Sequence, residues 1–365
     1  MKNKIITISF LVIVFGIFIA NVVKPVQELS YSERRRLAQP PAFTVERVFD
    51  GKYMQDYDKY AADQFIGREQ FRGIKTFVDR NVLRKSDTNG LFQVGGAIYT
   101  VEYPLREDKV RYMCQRLNTL YATYLQDMNV YFSIVPDKNY YLPNDGSYLI
   151  MNYEALAASM LENMPQNVTY IDMFNVLSLD NYYDSDGHWR QDTLKPVVDT
   201  LYQAMGNDTS FDPTSYAHIE YAPFYGAYYG QLAGMAKPDT ITWLENDITR
   251  DAIVTSIGHT DQENIPVYYI DGLGGMDSYD VYLHGAQPLI VLENPHNISG
   301  KELILFRDSY GSSLAPLLLE GYSRITLVDL RYITQDFLTE YITFDDQDIL
   351  LMYSSTIINN SDIIR

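Results

Sequence analysis

Asp186, Gly187 and His188 place a carboxylate two residues before an imidazole, and His188 is the only one of the chain's five histidines with such a neighbour. Further on, the apolar run Leu303–Phe306 leads into Arg307-Asp308-Ser309-Tyr310-Gly311 and then into Ser312 to Leu319, the pattern of a strand, a sharp turn and a helix. A serine hydroxyl is a poor nucleophile near neutral pH unless an adjacent base takes its proton, and that base must be oriented by a third group. Ser309, His188 and Asp186 fit those three roles, and the chemistry they would perform is acyl transfer. The backbone N–H groups of Ser309, Tyr310 and Gly311, at the start of the helix, are candidates to hold the oxyanion of a tetrahedral intermediate. The Gly-x-Ser-x-Gly elbow sequence is absent, and each half has a plainer reading: Ser309 as a helix cap, His188 as a loop histidine. No second histidine or acidic cluster stands at metal-ligand spacing, so neither a metal nor any other cofactor is implied.

Several elements must position these residues. Val110, Met113, Leu117, Leu120, Tyr124 and Met128 recur at steps of three and four, predicting a helix buried on one face, followed by a strand over Val130–Val135. A helix over Glu154–Leu161, a short strand over Val168–Ile171 and a helix from Asp192 to Met205 continue the alternation. Leu303–Phe306, Ile325–Val328 and Ile349–Met352 read as buried strands. The fold class is therefore α/β, a parallel sheet with helices on both faces. Gly90 to Tyr99, with Gly95-Gly96 at its centre, reads as a hairpin. Residues 211–297 read as a loop-rich insertion over the site, with the aromatic stretch Tyr221 to Gly230 supplying Tyr228 and Tyr229 as candidate substrate contacts alongside Trp189 and Arg307.

The chain opens with Lys2 and Lys4, then a 19-residue apolar run from Ile5 to Val23 that would cover about 28 Å as a helix, close to a hydrocarbon core of about 30 Å. We read residues 1–24 as a transmembrane anchor or uncleaved signal. Residues 25–43 read as a juxtamembrane stalk, with its Arg34-Arg35-Arg36 run in solvent or against anionic headgroups. Residues 44–365 read as an extracytoplasmic domain, since an early apolar run acts as an export signal and long domains translocate largely regardless of flanking charge. The single Cys114 excludes an intramolecular disulfide, and its place on a helical pattern suggests core. A net charge of −18 argues against a nucleic-acid partner. The 32 tyrosines are mostly packing residues on this reading, a minority serving as flat surfaces for sugar rings.

Asp186-Gly187-His188-Trp189, the Phe306–Gly311 block and Val328-Asp329-Leu330-Arg331-Tyr332 resemble the DHHW family of bacterial extracytoplasmic proteins, which is similar to the alginate O-acetyltransferases. Asp63–Arg68, Asn89-Gly90-Leu91 with Gly95, and Val135–Lys138 extend the likeness over nearly the whole exported part. The resemblance implies an SGNH-hydrolase-like fold, Ser309 as nucleophile, His188 as base and Asp186 as its orienting acid. Gly187 departs from it, standing where the family's name-giving motif has a histidine. The implied activity is O-acyl transfer, most simply O-acetyl, to a cell-surface polysaccharide. The acyl group would come from a multispanning partner of the membrane-bound O-acyltransferase type. A carbohydrate esterase with the same three residues and a non-catalytic glycan-binding or assembly protein are the alternatives.

Overall fold

A computed structural model describes residues 2–143, 146–233, 236–258 and 261–365. Its centre is an eight-stranded sheet. In chain order the strands are β1 (Val130–Val135), β2 (Thr169–Asp172), β3 (Ile253–Ile257), β4 (Gln262–Ile265), β5 (Leu289–Glu293), β6 (Glu302–Arg307), β7 (Arg324–Val328) and β8 (Asp348–Ser354). In space they lie in the order β4-β3-β5-β7-β6-β8-β1-β2. From β7 to β2 every pairing is parallel, whereas β5, β3 and β4 add an antiparallel margin. The expected parallel sheet is thus present but mixed. Its antiparallel part comes from within residues 211–297, which supply three strands of the main sheet as well as the hairpin Ala217–Phe224/Asp239–Glu245.

Period-two alternation divides the core between the sheet's faces. Leu303, Leu305, Leu350 and Met352 join one cluster, while Ile304, Phe306, Ile349, Leu351 and Tyr353 join the other, all 2% exposed or less. Because both faces are covered, these strands read as continuous apolar runs.

The principal helices are α1 (Lys2–Val23), α2 (Lys52–Asp63), α3 (Arg68–Phe77), α4 (Glu107–Leu120), α5 (Tyr153–Asn163), α6 (Lys195–Ala204) and α7 (Tyr310–Leu318). Residues of α4 and α5 pack on the second face of the sheet, those of α6 and α7 on the first. Cys114 is buried on α4, as its helical position suggested. The helix expected from Asp192 begins later: Gln191–Thr193 form a 3-10 turn, and Pro196 sits in the first turn of α6, where its missing N–H costs nothing. The Gly90–Tyr99 segment is the hairpin Leu91–Val94/Ala97–Thr100, turning through Gly95 and Gly96 at φ 61° and 105°, where glycine avoids a Cβ clash.

α1 is a single apolar helix of 22 residues with mean hydropathy 2.7 over its best window, unburied by the rest of the chain and about 33 Å long. The segment after it departs from a solvated stalk. Leu29–Ser30 pairs with Arg35–Arg36 as a short hairpin, Arg35 makes two hydrogen bonds to Asp63, and Glu33 pairs with Arg68. Arg34 and Arg35 face carboxylates of the chain, which fixes the segment on the domain.

Candidate active site

Ser309 stands two residues beyond the end of β6, at the N-cap position of α7, and its side chain makes no capping hydrogen bond there. This is the carboxyl end of the parallel strands, where open α/β sheets place their ligands. Asp308 builds the turn: buried, it accepts hydrogen bonds from the Tyr310 amide at 3.0 Å and, across to the end of β8, from the Ser354 amide at 2.8 Å. Gly311 is required because a Cβ there would run into the Arg307 side chain.

The loop bearing Asp186 and His188 reaches the same point. His188 Nδ1 lies 2.6 Å from Asp186 Oδ1, and His188 Nε2 lies 2.7 Å from Ser309 Oγ. With its proton on Nδ1 toward the carboxylate, the imidazole presents a lone pair at Nε2 to the serine hydroxyl. The ring stacks on Tyr279 at 3.9 Å between centroids and 13° between planes, which fixes its plane. Asp186 is fully buried and also accepts from the Ala227 amide at 2.6 Å, with Arg34 Nη2 at 3.5 Å. Burial would push its carboxyl up. The opposing charge and hydrogen bond of His188, followed by Arg34 and the Ala227 N–H, outweigh that and hold it well below the usual carboxylate range.

The loop is clamped from beneath. Lys138, 3% exposed, donates from Nζ to the carbonyls of Tyr183, Asp184 and Asp186 at 2.9, 3.0 and 2.8 Å. Burial lowers its pKa to about 8, against the pull of Asp186, Asp239, Asp184 and Asp137, which favour the charged form. Asp239 accepts from the amides of Asp184 and Ser185 at 3.1 and 2.7 Å, and Ser185 Oγ accepts from Gly226 N. Gly226 leaves no room for a Cβ, which would overlap the Ser185 carbonyl.

Sequence reasoning missed Arg34, Tyr279 and the Ala227 amide. Arg34 sits in the hairpin after α1, at φ 52°, a region uncommon for non-glycine residues. It is held there by Asp277 at 2.7 Å and the Tyr225 carbonyl at 2.9 Å. Its only signal was membership of a basic run. Tyr279 looked like any other of the many tyrosines.

Other expectations need correction. The Tyr310 and Gly311 amides are already committed to Asp308, through its carboxylate and its carbonyl, so of the three expected oxyanion donors only the Ser309 amide lacks a partner among the described residues. Trp189 is fully buried and donates to Ser313 Oγ at 2.8 Å. Arg307 is 1% exposed beside Asp329 at 3.5 Å, so both belong to the interior and not to a substrate surface. Tyr228 lies against Lys138, with its hydroxyl in the space a side chain on Gly187 would take. Tyr229 does line an open cleft of about 420 Å³ with Tyr31, Tyr221, Tyr225 and Ser278. Its lining adjoins the Arg34–Asp277 pair in sequence: Tyr225 supplies the carbonyl that Arg34 bonds, and Met276 and Ser278 flank Asp277. His218, His284 and His296 lie outside this constellation, and His259 lies outside the described residues. No group of three or more metal-ligating side chains occurs among the described residues.

No family model and no curated protein matches the chain. Solved structures do. A DHHW family protein from Eubacterium siraeum superposes with a TM-score of 0.61 at 18% identity, covering 76% of this chain and 97% of its own. Bacillus cereus PatB1 superposes with a TM-score of 0.59 at 17% identity, over 73% and 96% of the two chains, and its structure with a sulfonyl adduct at 0.59 and 16%, over 73% and 95%. The chain therefore has the fold of a DHHW family protein and of PatB1, carried by a sequence that shares under a fifth of its residues with either.

Proposed function

We propose that this protein is a membrane-anchored, extracytoplasmic serine O-acyltransferase that passes an acetyl group to hydroxyls of a cell-surface polysaccharide. The observation that carries the reading is the unbroken relay from buried Asp186 through His188 to Ser309, with contacts of 2.6 and 2.7 Å. In the first half-reaction Ser309 Oγ attacks the acyl carbonyl while His188 Nε2 takes its proton. The tetrahedral intermediate collapses, His188 returns that proton to the departing group, and an ester on Ser309 remains. The Ser309 amide donates to the oxyanion. In the second half-reaction an acceptor hydroxyl attacks this ester, His188 takes the acceptor's proton, and Ser309 regains it as the acetyl group departs. Asp186 stays ionised throughout and stabilises the imidazolium.

The tyrosine-lined cleft supports a carbohydrate acceptor, because aromatic faces stack on sugar rings while phenol tips hydrogen-bond to their hydroxyls. The apolar α1 supports anchoring in the membrane, which would keep the domain near a multispanning acyl donor and raise the effective concentration of the pair. The test uses an acetyl ester donor with the polysaccharide acceptor present or omitted, together with covalent capture by an aryl sulfonyl fluoride, since a sulfonyl adduct has been obtained on PatB1. Wild type is expected to be labelled at Ser309 and to transfer acetyl, and Ser309→Ala to do neither. Undiminished transfer by Ser309→Ala would refute the assignment of the nucleophile. Acetate release that added acceptor does not suppress would make the protein an esterase.

A further inference from the structure

α3 is amphipathic the wrong way round for a helix of a soluble domain. A surface helix ordinarily turns its apolar stripe inward and its charges to water. Here the polar side faces the protein: Arg72 donates to the Gly230 carbonyl at 2.6 Å, Arg68 pairs with Glu33, and Thr76 is buried. Phe71, Ile74 and Val78, spaced three and four apart, are 58%, 58% and 36% exposed. Phe77 on the same side is 54% exposed. An outward stripe of this kind marks an interaction surface.

Its position says what covers it. The Ile66 amide, two residues before α3, donates to Asn21 Oδ1 at 2.8 Å, and Lys24 Nζ donates to the Gln64 carbonyl at 3.3 Å. Asn21 belongs to the last turn of α1. The stripe therefore adjoins the point where the apolar helix ends, at the level of the lipid headgroups if α1 spans a bilayer. Lys75 sits beside the stripe, 60% exposed along its side chain and paired with Asp79 at 2.8 Å.

We infer that α3 is an in-plane membrane helix, with Phe71, Ile74, Phe77 and, in the turn that follows it, Val78 sunk into the boundary between headgroups and acyl chains. The catalytic domain then lies on the bilayer at two places, α1 and α3. This rests on α1 being membrane-inserted, part of the reading above, so the experiment reports on both.

The full-length chain would be spin-labelled at one introduced cysteine at a time, Ile74→Cys, Ile13→Cys or Ile298→Cys, in nanodiscs of phosphatidylethanolamine and phosphatidylglycerol. Cys114 is buried and stays unlabelled in the folded protein. Collision with oxygen, which concentrates in lipid, is compared with collision with a water-soluble nickel chelate. Ile298, 97% exposed in a remote loop, sets the aqueous value. The oxygen-to-nickel ratio is expected several-fold above that value at position 74, and higher still at position 13. Lipid-like behaviour at 13 with an aqueous ratio at 74 would overturn the inference and leave the anchor intact. A label at 74 shielded from both reagents would also overturn it, in favour of a protein partner on this face. An aqueous ratio at position 13 would instead sink the anchor itself. Position 74 is exposed, so the substitution leaves the fold unchanged, which the thermal melt checks.

Discussion

Lys138 offers the sharpest test, because stability and activity should respond to pH in opposite directions. Its pKa moves from about 10.5 in the unfolded chain to about 8 in the folded one, burial being the main cause. Below pH 8 both states carry the proton, and the folded state bears the full cost of a buried ammonium, about 3 kcal/mol at 1.36 kcal/mol per unit. Between pH 8 and 10.5 the folded state has shed a proton that the unfolded chain still binds, so stability rises with pH until the cost is gone. Activity should do the reverse. A neutral amine has two N–H donors for the three carbonyls of Tyr183, Asp184 and Asp186, and the loop holding Asp186 loosens. Lys138→Met leaves those three carbonyls without a donor, at about 1–3 kcal/mol each, and recovers about 3 kcal/mol of desolvation, for a net loss of about 0–6 kcal/mol. Denaturant unfolding and initial rates of aryl acetate hydrolysis, corrected for spontaneous hydrolysis, would be followed across this range. The stability gap between wild type and Lys138→Met should widen by about 3 kcal/mol from pH 8 to 10.5, while wild-type activity declines above pH 8. An alkaline limb near pH 8 that persists in Lys138→Met, or a stability gap flat with pH, would refute the reasoning.

Asp186→Asn should lower kcat by about 10³–10⁴-fold without unfolding the domain, because the amide no longer stabilises the imidazolium; steady-state rates and a thermal melt check both halves. Arg34→Ala should cost roughly tenfold in kcat/KM, about 1.4 kcal/mol, and Arg34→Lys should recover only part of it, since an ammonium cannot span Asp277, the Tyr225 carbonyl and Asp186 together. Gly187→His should destabilise the fold by about 1–3 kcal/mol in denaturant titrations, through collision with the Tyr228 hydroxyl, and Tyr228→Ala in the same chain should relieve most of it. Gly226→Ala should reduce activity more than stability, because it displaces the Ala227 amide from Asp186, as paired rate and melting measurements would show.

Local patterns were legible from the sequence, while long-range placement was not. Asp186 and His188 stand out by spacing, and Ser309 by the run of strand, turn and helix, because such features lie within a few residues of each other. That they meet follows from the carboxyl end of β6 lying over the loop clamped by Lys138, a contact 48 residues long in sequence terms at the Asp186 carbonyl. Arg34 and Asp277 are separated by 243 positions, and no local period records their pairing. Leu289-Ile290-Val291-Leu292 has the composition of a buried strand, yet its antiparallel direction depends on neighbours no window contains. Trp189 and Arg307 misled by residue type: an indole and a guanidinium beside a reactive group suggest ligand contacts, but here the indole fills the core and the guanidinium faces Asp329.

The hairpin that carries Arg34 also limits how the protein can be processed and how far it can reach. If α1 is a membrane anchor, a peptidase releasing the domain must cut upstream of Leu29, or the soluble product loses the strand that pairs with Arg35–Arg36 and seats Arg34 beside Asp186. If the anchor is kept, ten peptide units separate Lys24 from Arg34, at most about 35 Å of extended chain, and the hairpin's pairing shortens that span. On the function proposed above, the site could then act only on polymer strands that pass within a few nanometres of the lipid surface.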